Sequence, residues 1–292
     1  MSGPRSHGVL FVVATPIGNL GDMTERAVAV LRDCDRVVSE DTRRTRQLLT
    51  HFAIGGKPVE RLDAHASGDA ISRLIGLILE GERVAMVTDA GTPAVSDPGN
   101  KLVTAAVDAG ASIIALPGAS AVLTALAASG LAGDGRFRFV GFLPRDGAAR
   151  REAIAVVCET PESVVLFEAP QRVQQTLAAL AQATPTRRAC VARELTKVHE
   201  EWIRGTLDDL ATDPREWIGE IAIVLGPYEP AERGDHVDDA TLDREIESAV
   251  AAGERPKTVA ERLAAWSGRT RRDIYSRVLA VRSAKEGKKE GS

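Results

Sequence analysis

The chain has 292 residues, about twice the usual size of one domain, and its 37 basic and 41 acidic residues leave a formal charge of −4. This balance excludes a strongly basic coat on nucleic acid and an acidic solvating tail. With 44% hydrophobic and 27% charged residues the chain can bury a sizeable core, which argues against general disorder.

The three cysteines stand far apart without a C-x-x-C pair, and the histidines lack metal-ligand spacing. We therefore expect a cytoplasmic protein without a disulfide framework or a metal site. The first residues lack the apolar segment of a signal peptide. Residues 109–133 carry no charge, but Pro117 and Gly118 interrupt them. This pattern predicts a buried strand, a turn and a buried helix, and no membrane contact.

Short β-rich runs alternate with helical patterns over the first 130 residues. Residues 9–14 are continuously apolar, as in a strand buried on both faces. Further strands are predicted at residues 36–39, 83–88 and 112–116, and helices at residues 24–31, 42–51, 67–80, 100–109 and 120–129. This alternation predicts a mostly parallel sheet with helices on both faces, which binds ligands at the carboxyl ends of its strands.

A glycine-rich stretch at residues 130–138 precedes a second α/β region. Strands are predicted there at residues 137–141, 163–167, 188–193, 198–204 and 217–225, and helices at residues 149–158 and 173–183. The last two strands have the pattern of an antiparallel hairpin, so we expect a mixed sheet. The whole pattern predicts three domains, at residues 1–133, 134–228 and 229–292.

The third region combines an acidic linker with three short predicted helices, at residues 241–252, 258–266 and 271–282. Residues 206–252 carry a net charge of −10, whereas residues 253–292 carry +6. The basic end favours a local nucleic-acid contact through four arginines, and a packing role is the open alternative. These are Arg269, Arg271, Arg272 and Arg277.

Three loops of small residues follow predicted strands of the first sheet, at residues 15–22, 89–99 and 116–121. The second loop alone contains two Gly, two Pro and two Asp residues. Such loops allow a ligand to approach the backbone closely. The fingerprints of a Rossmann dinucleotide site and of a P-loop are both missing from the sequence. The three loops therefore predict a small-molecule site of another kind on one rim of the sheet.

Charged residues cluster at two further places. Residues 40–46 (Glu-Asp-Thr-Arg-Arg-Thr-Arg) form a strand-to-helix junction, where Arg43 and Arg46 are spaced to share one helical face. Guanidinium groups suit phosphate binding, although a solvated helix start is the simpler interpretation in isolation. Residues 193–197 (Arg-Glu-Leu-Thr-Lys) lie between strands of the second region.

Three further motifs occur along the chain: Ser-Gly-Leu at 129–131, Gly-Phe-Leu-Pro at 141–144 and Phe-Glu-Ala-Pro-Gln-Arg at 167–172. Together with the loops and charged clusters above, they form one pattern of motifs in a fixed order. The combined pattern resembles the tetrapyrrole-methylase-like class of S-adenosylmethionine-dependent methyltransferases. Within that class it is most similar to the small-subunit ribosomal RNA ribose methyltransferases, over residues 9–226. Two departures are His-Ala-Ser at 65–67, where the family has His-Asn-Glu, and residues 167–172, where it tends to have Tyr-Glu-Ser-Pro-His-Arg.

The resemblance implies two α/β domains with S-adenosylmethionine in the cleft between them, a small C-terminal helical bundle and a homodimer. The implied reaction is 2'-O-methylation of a decoding-centre cytidine in 16S ribosomal RNA or the 30S particle. The implied donor contacts come from both domains: Ile17, Gly18, Ala90, Gly91, Thr92, Val95, Ser120, Ala121, Phe167 and Glu168.

A ribose hydroxyl is a poor nucleophile while protonated, so this reaction needs a base or a cation near the acceptor oxygen. Asp41 or Asp89 is expected as the base, and Lys197 or Arg43 as the cation; the sequence does not choose between them. Two other functions stay open at this stage, namely methylation of a tetrapyrrole and a non-catalytic role in small-subunit assembly.

Overall fold

The computed structural model describes residues 8–62, 68–95, 99–228, 239–267 and 269–289. The motif residues 65–67 and 96–98 and most of the acidic linker lie outside the described residues. The described residues up to Tyr228 form one compact unit, and those from Asp239 onward form a second. Within these ranges, every helix is too short or too polar to span a bilayer.

The first sheet contains β1 Val9–Val13, β2 Arg36–Ser39, β3 Val59–Arg61, β4 Arg83–Val87 and β5 Ser112–Leu116. Their order is β3-β2-β4-β1-β5, and every neighbouring pair is parallel, as the sequence predicts. Apolar cores cover both faces of this sheet. Its helices are α1 Glu25–Asp33, α2 Thr42–His51, α3 Gly68–Leu79, α4 Asn100–Asp108 and α5 Ala121–Ser129.

The second sheet contains β6 Phe137–Phe142, β7 Ser163–Glu168, β8 Arg188–Arg193, β9 Glu201–Thr206 and β10 Ile221–Leu225. Its order is β6-β7-β10-β8-β9; only the β6–β7 pair is parallel, so the predicted mixed sheet is confirmed. The predicted hairpin is wrong. The continuously buried β10 lies between β7 and β8, whereas the more polar β9 forms the edge next to β8. The helices are α6 Gly147–Glu159, α7 Pro170–Ala183 and α8 Leu207–Thr212.

Helix α5 connects the two sheets. It follows the edge strand of the first sheet, yet Val122, Ala125 and Leu126 pack in one apolar cluster with Val165 and Ala222 of the second sheet. A helix that is apolar on most of its surface needs such burial on several sides. The expected boundary at residues 133/134 falls in the connection that follows α5, and packing across it holds both sheets in one unit.

Three helices form the second unit: α9 Asp239–Ala251, α10 Pro256–Ser267 and α11 Arg271–Lys289. Arg269 and Arg277 both pair with Asp239 at 2.8 Å, and both also contact Asp273 at 3.8 Å. These two arginines therefore connect the beginning of α9 to α11, which favours the packing alternative for them. Arg271 and Arg272 are exposed.

A buried arginine holds the second sheet together at one end. Arg187 is 6% exposed, and its guanidinium donates to backbone carbonyls of Val157, Thr160, Glu162 and Gly226 at 2.8–3.1 Å. One side chain thus connects the end of α6, the segment before β7 and the end of β10. Burial lowers the pKa of Arg187, but a guanidinium stays charged at neutral pH.

We expect Arg187→Met to lower the free energy of unfolding by about 3–5 kcal/mol, because several buried carbonyls lose their donor at once. Urea unfolding followed by circular dichroism measures the change. The matched control is Arg188→Met, which removes an exposed arginine at the next position and should cost about 0.5 kcal/mol or less. Equal losses in the two variants would contradict this role of Arg187.

Candidate functional site

The three loops at the carboxyl ends of β1, β4 and β5 are bonded to one another. Thr15 and Gly91 exchange two backbone hydrogen bonds, of 2.9 and 3.0 Å. The Thr15 hydroxyl donates to the carbonyl of Thr88 at 3.0 Å, and the Thr92 hydroxyl donates to that of Ala119 at 3.1 Å. The first loop is thereby fixed to the second, and the second to the third.

Two glycines make this arrangement possible. Gly91 has φ of +84°, and a Cβ there would lie 3.3 Å from Ile17 Cγ2. At Gly118 a Cβ would lie 2.7 Å from the Cβ of Ala14, closer than two carbon atoms can approach. Larger residues at these positions would separate the loops, so glycine is what allows the backbones of these loops to lie this close together.

A cavity of about 470 Å³ lies between these loops and the second sheet, a size typical of small-molecule sites. Nine of the ten residues expected to contact the donor line it: Ile17, Ala90, Gly91, Thr92, Val95, Ser120, Ala121, Phe167 and Glu168. The tenth, Gly18, lines an adjoining cavity. The structure therefore brings residues from distant parts of the sequence to one place.

The second sheet contributes an aromatic wall to the first cavity. The ring centroid of Phe167 lies 5.0 Å from that of Phe139 and 5.7 Å from that of Phe142. A β-bulge between Phe139 and Gly141 shifts the register so that Phe142 pairs with Phe167. Phe142 is 59% exposed although it is large and apolar, which leaves its ring available to a ligand.

Glu168 lines the same cavity, but its carboxylate belongs to a buried network. Its side chain has no exposed surface. The Thr176 hydroxyl donates to it at 2.7 Å, the backbone N–H of Ala169 donates at 2.9 Å, and the guanidinium groups of Arg150 and Arg172 lie 3.8 and 3.4 Å away. The part of Glu168 that lines the cavity is therefore its main chain.

The adjoining cavity measures about 330 Å³ and is more polar. It lies between the first loop and one face of α2. Five residues line both cavities: Ile17, Thr88, Asp89, Ala90 and Glu220. Two carboxylates, of Asp89 and Glu220, thus stand at the junction between a largely apolar cavity and a polar one.

Among the four residues expected to act in catalysis, only Asp89 lines the cavities. Its carboxylate accepts a hydrogen bond from the backbone N–H of Asp41 at 3.3 Å and lies 3.6 Å from Arg44. Asp41 is the N-cap of α2, and the backbone N–H of Arg43 is the main cause that lowers the pKa of Asp41. Arg43 itself is 86% exposed and pairs with Asp41.

Lys197 contacts Glu220 but lines neither cavity. Its ammonium group lies 2.9 Å from Glu194 and 3.1 Å from Glu220. Burial opposes the charge, but hydrogen bonds to these two carboxylates raise the pKa of Lys197, so it is a cation at neutral pH. The segment is strained, since Glu194 and Thr196 both have positive φ, of +51° and +64°.

Glycine at position 18 lets this strained segment approach the first loop. A Cβ on Gly18 would lie 2.5 Å from Lys197 Cγ and 2.9 Å from the carbonyl oxygen of Leu195. The Arg-Glu-Leu-Thr-Lys motif and the first loop are therefore in direct contact, although they are far apart in the sequence.

Five polar residues that line the second, adjoining cavity are not predicted from the sequence as site residues: Arg44, Thr45, Gln47, His51 and Glu220. Glu220 precedes β10, whereas the sequence-based expectation covers only the carboxyl ends of strands. Because β10 runs antiparallel to β7, its amino end lies at the same edge as the carboxyl end of β7. The signal that could have found Glu220 is its place between Gly219 and a fully apolar strand.

A family model described as Tetrapyrrole (Corrin/Porphyrin) Methylases matches residues 9–211. A ribosomal RNA small subunit methyltransferase I from Mycobacterium tuberculosis is 42% identical over 286 residues, covering 95% of this chain and 96% of that protein. Its counterpart from Halalkalibacterium halodurans is 39% identical over 273 residues, covering 92% and 94%. The chain belongs to the ribosomal RNA small subunit methyltransferase I family. It is a methyltransferase, as the motifs imply.

Solved structures support the fold of this methyltransferase. Diphthine synthase has a TM-score of 0.58 at 17% identity, covering 75% of this chain and 90% of that one. A uroporphyrin-III C-methyltransferase from Thermus thermophilus, complexed with S-adenosyl homocysteine, has a TM-score of 0.53 at 17% identity, covering 75% and 97%. The expected two-sheet architecture of the tetrapyrrole-methylase type is confirmed.

We expect Glu168→Ala to destabilise the methyltransferase by about 3–5 kcal/mol, because the buried guanidinium of Arg150 would lose its carboxylate partner. Urea unfolding measures the loss. Glu159→Ala, at the exposed end of α6, is the control and should change stability by about 0.5 kcal/mol or less. A small loss for Glu168→Ala would show that its carboxylate has a different role.

Proposed function

We propose that this methyltransferase transfers a methyl group from S-adenosylmethionine to the ribose 2'-oxygen of a decoding-centre cytidine in 16S ribosomal RNA. The names of the relatives support the small-subunit RNA as substrate, and the motif resemblance supports the ribose oxygen. The observation that carries the proposal is the junction, where Asp89 and Glu220 stand between a small-molecule cavity and a polar one.

The first cavity has the properties that S-adenosylmethionine requires. Its aromatic wall suits the flat adenine ring, and its loops of small residues let polar parts of the donor approach the backbone beside Thr92. When bound, S-adenosylmethionine supplies an electrophilic methyl carbon attached to a positively charged sulfur.

The residues of the chain have to align the acceptor hydroxyl and accept its proton. Alignment of the reacting atoms alone can lower a barrier by up to about 7–11 kcal/mol in ideal cases. Asp89 is the proposed base, because it lines both cavities, accepts a hydrogen bond from the backbone N–H of Asp41 and lies 3.6 Å from the guanidinium of Arg44. Glu220 is the second carboxylate within reach of the junction.

Lys197 and Asp41 act through these carboxylates in this proposal. Lys197 holds Glu220 in position and balances its charge together with that of Glu194. Asp41 caps α2 and positions Asp89 through its backbone N–H. Arg43 supports the Asp41 carboxylate from the surface.

The enzyme is proposed to work in the cytoplasm on the 30S particle, as a homodimer. Support for a homodimer comes from the resemblance and from three exposed apolar side chains on consecutive elements: Val107 of α4, Ile114 of edge strand β5 and Leu123 of α5. The relatives named for ribosomal RNA weigh against a tetrapyrrole substrate. Isothermal titration with S-adenosylmethionine separates an enzyme from an assembly factor, which would not bind the donor.

We expect 16S RNA from a strain that lacks this chain to be missing one 2'-O-methylcytidine. Mass spectrometry of nuclease digests measures the modification, and the purified protein with S-adenosylmethionine should restore it on 30S particles from that strain. RNA treated with protein but no donor is the control. An unchanged set of 2'-O-methyl nucleotides would contradict the proposed function.

We expect Asp89→Asn to lower kcat by about 10²–10⁴-fold, because the amide cannot accept the proton of the acceptor hydroxyl. The shape of the residue is kept, so the affinity for S-adenosylhomocysteine should stay within about twofold. Asp108→Asn, an exposed change at the end of α4, is the control. A kcat close to that of the wild type would show that Asp89 is not the base. Glu220 would then be the candidate, and Glu220→Gln tests this directly.

A further inference from the structure

One face of α2 forms a wall of the second cavity. Arg44, Gln47, Leu48 and His51 line it, and their spacing of three, four and seven residues places them on one side of a helix. Arg43 and Arg46, which the sequence analysis placed on a phosphate-binding face, line neither cavity. The arginine of α2 that lines the cavity is therefore Arg44, the residue next to Arg43.

We propose that this second cavity binds a phosphodiester group of the RNA strand at the acceptor nucleotide, with Arg44 as the cation that holds it. This inference rests on the proposed function, because it assumes that the acceptor is a ribose. It assigns to Arg44 a role in recognition of the RNA backbone that is separate from binding of the donor.

The geometry around Arg44 suits a phosphate. Its side chain is 64% exposed, and its contact with Asp89 is a single one of 3.6 Å, longer than a hydrogen bond. A guanidinium has five N–H donors and binds phosphate with two of them at once. The amino end of α2 is capped by the Asp41 carboxylate, so the side chain, not the helix terminus, is the anion-binding group here.

The distance between Arg44 and Asp89 matches the chemistry of a ribonucleotide. The 2'-oxygen and the 3'-phosphate of a ribose are attached to neighbouring carbon atoms. A base for the hydroxyl and a cation for the phosphate must therefore stand side by side. Asp89 at the junction and Arg44 on the wall of the second cavity are placed in this way.

The wall is long enough for more than one nucleotide. From Arg44 to His51 the helix rises by about 10 Å, whereas stacked nucleotides in one strand advance by about 3.4 Å each. Gln47 and His51 continue the polar side of the wall, and Pro16 and Leu20 of the first loop form the opposite side.

The test compares Arg44→Ala and Arg44→Lys with Arg46→Ala. Arg46 carries the same charge two residues away on α2 but lines neither cavity. Three quantities are measured for each variant: KM for unmethylated 30S particles, affinity for these particles at several KCl concentrations with fixed magnesium, and the Kd for S-adenosylhomocysteine. Circular dichroism establishes that each variant is folded.

We expect Arg44→Ala to raise KM for the 30S particle by about tenfold or more and to reduce the salt dependence of binding by about one phosphate contact. The Kd for S-adenosylhomocysteine should not change. Arg44→Lys keeps the charge and should retain the salt dependence but bind less tightly than the wild type, because an ammonium cannot bind a phosphate with a planar pair of donors. Arg46→Ala should change KM by less than about threefold.

Two outcomes overturn the inference. Equal effects of Arg44→Ala and Arg46→Ala would show that only general attraction to RNA is lost. A weaker affinity for S-adenosylhomocysteine with unchanged 30S binding would assign Arg44 to the donor. Failure of the proposed function is distinct from both: the wild type would then bind 30S particles in an Arg44-dependent manner without forming a 2'-O-methyl nucleotide.

Discussion

The two backbone hydrogen bonds between Thr15 and Gly91 are the constraint on which the whole site depends. Strands β1 and β4 are neighbours in the first sheet, so the loops that follow them emerge side by side. The bonds hold these loops together beyond the end of the sheet, where no strand pairing remains. Ile17, Asp89 and Ala90 lie within two residues of this pair, and all three line both cavities. A fixed backbone therefore places Asp89 and the walls of both cavities at once.

Charges at the junction are arranged in pairs of opposite sign that come from different elements. Asp89 follows β4 and has Arg44 of α2 as its partner, and Glu220 precedes β10 and has Lys197 as its partner. Each carboxylate thus has a cation from another segment as its neighbour, at 3.1 Å for Glu220 and at a longer 3.6 Å for Asp89, and each keeps acceptor capacity. The difference between the two cations is accessibility, since Arg44 lines a cavity and Lys197 does not.

Four strands of the first sheet were predictable because they are short apolar runs, and their parallel pairing follows from strand–helix alternation. Strand β3 was not predicted, because two of its three residues are charged. The cavity was also predictable, because the small residues of the three loops are a local feature of the sequence. The position of β10 was not predictable, because the order of antiparallel strands depends on burial across the whole sheet. The face of α2 that meets the cavity was not predicted either, since the rotation of the helix depends on burial of Leu49 in the apolar core of the first sheet. Glu168 was recognised by its motif, but its buried partners Arg150 and Thr176 carry no sequence signal.

The packing of α5 has a mechanical consequence. A helix that follows the first sheet is buried against the second, so separating the sheets would expose Val122, Leu126 and their apolar partners to water. Each such side chain costs about 1.5–3 kcal/mol to expose, which makes hinge opening of the cleft unfavourable. The walls of the cleft are therefore expected to keep their spacing, and exposed side chains that line it, such as those of Phe142 and Arg44, are the parts left free to move.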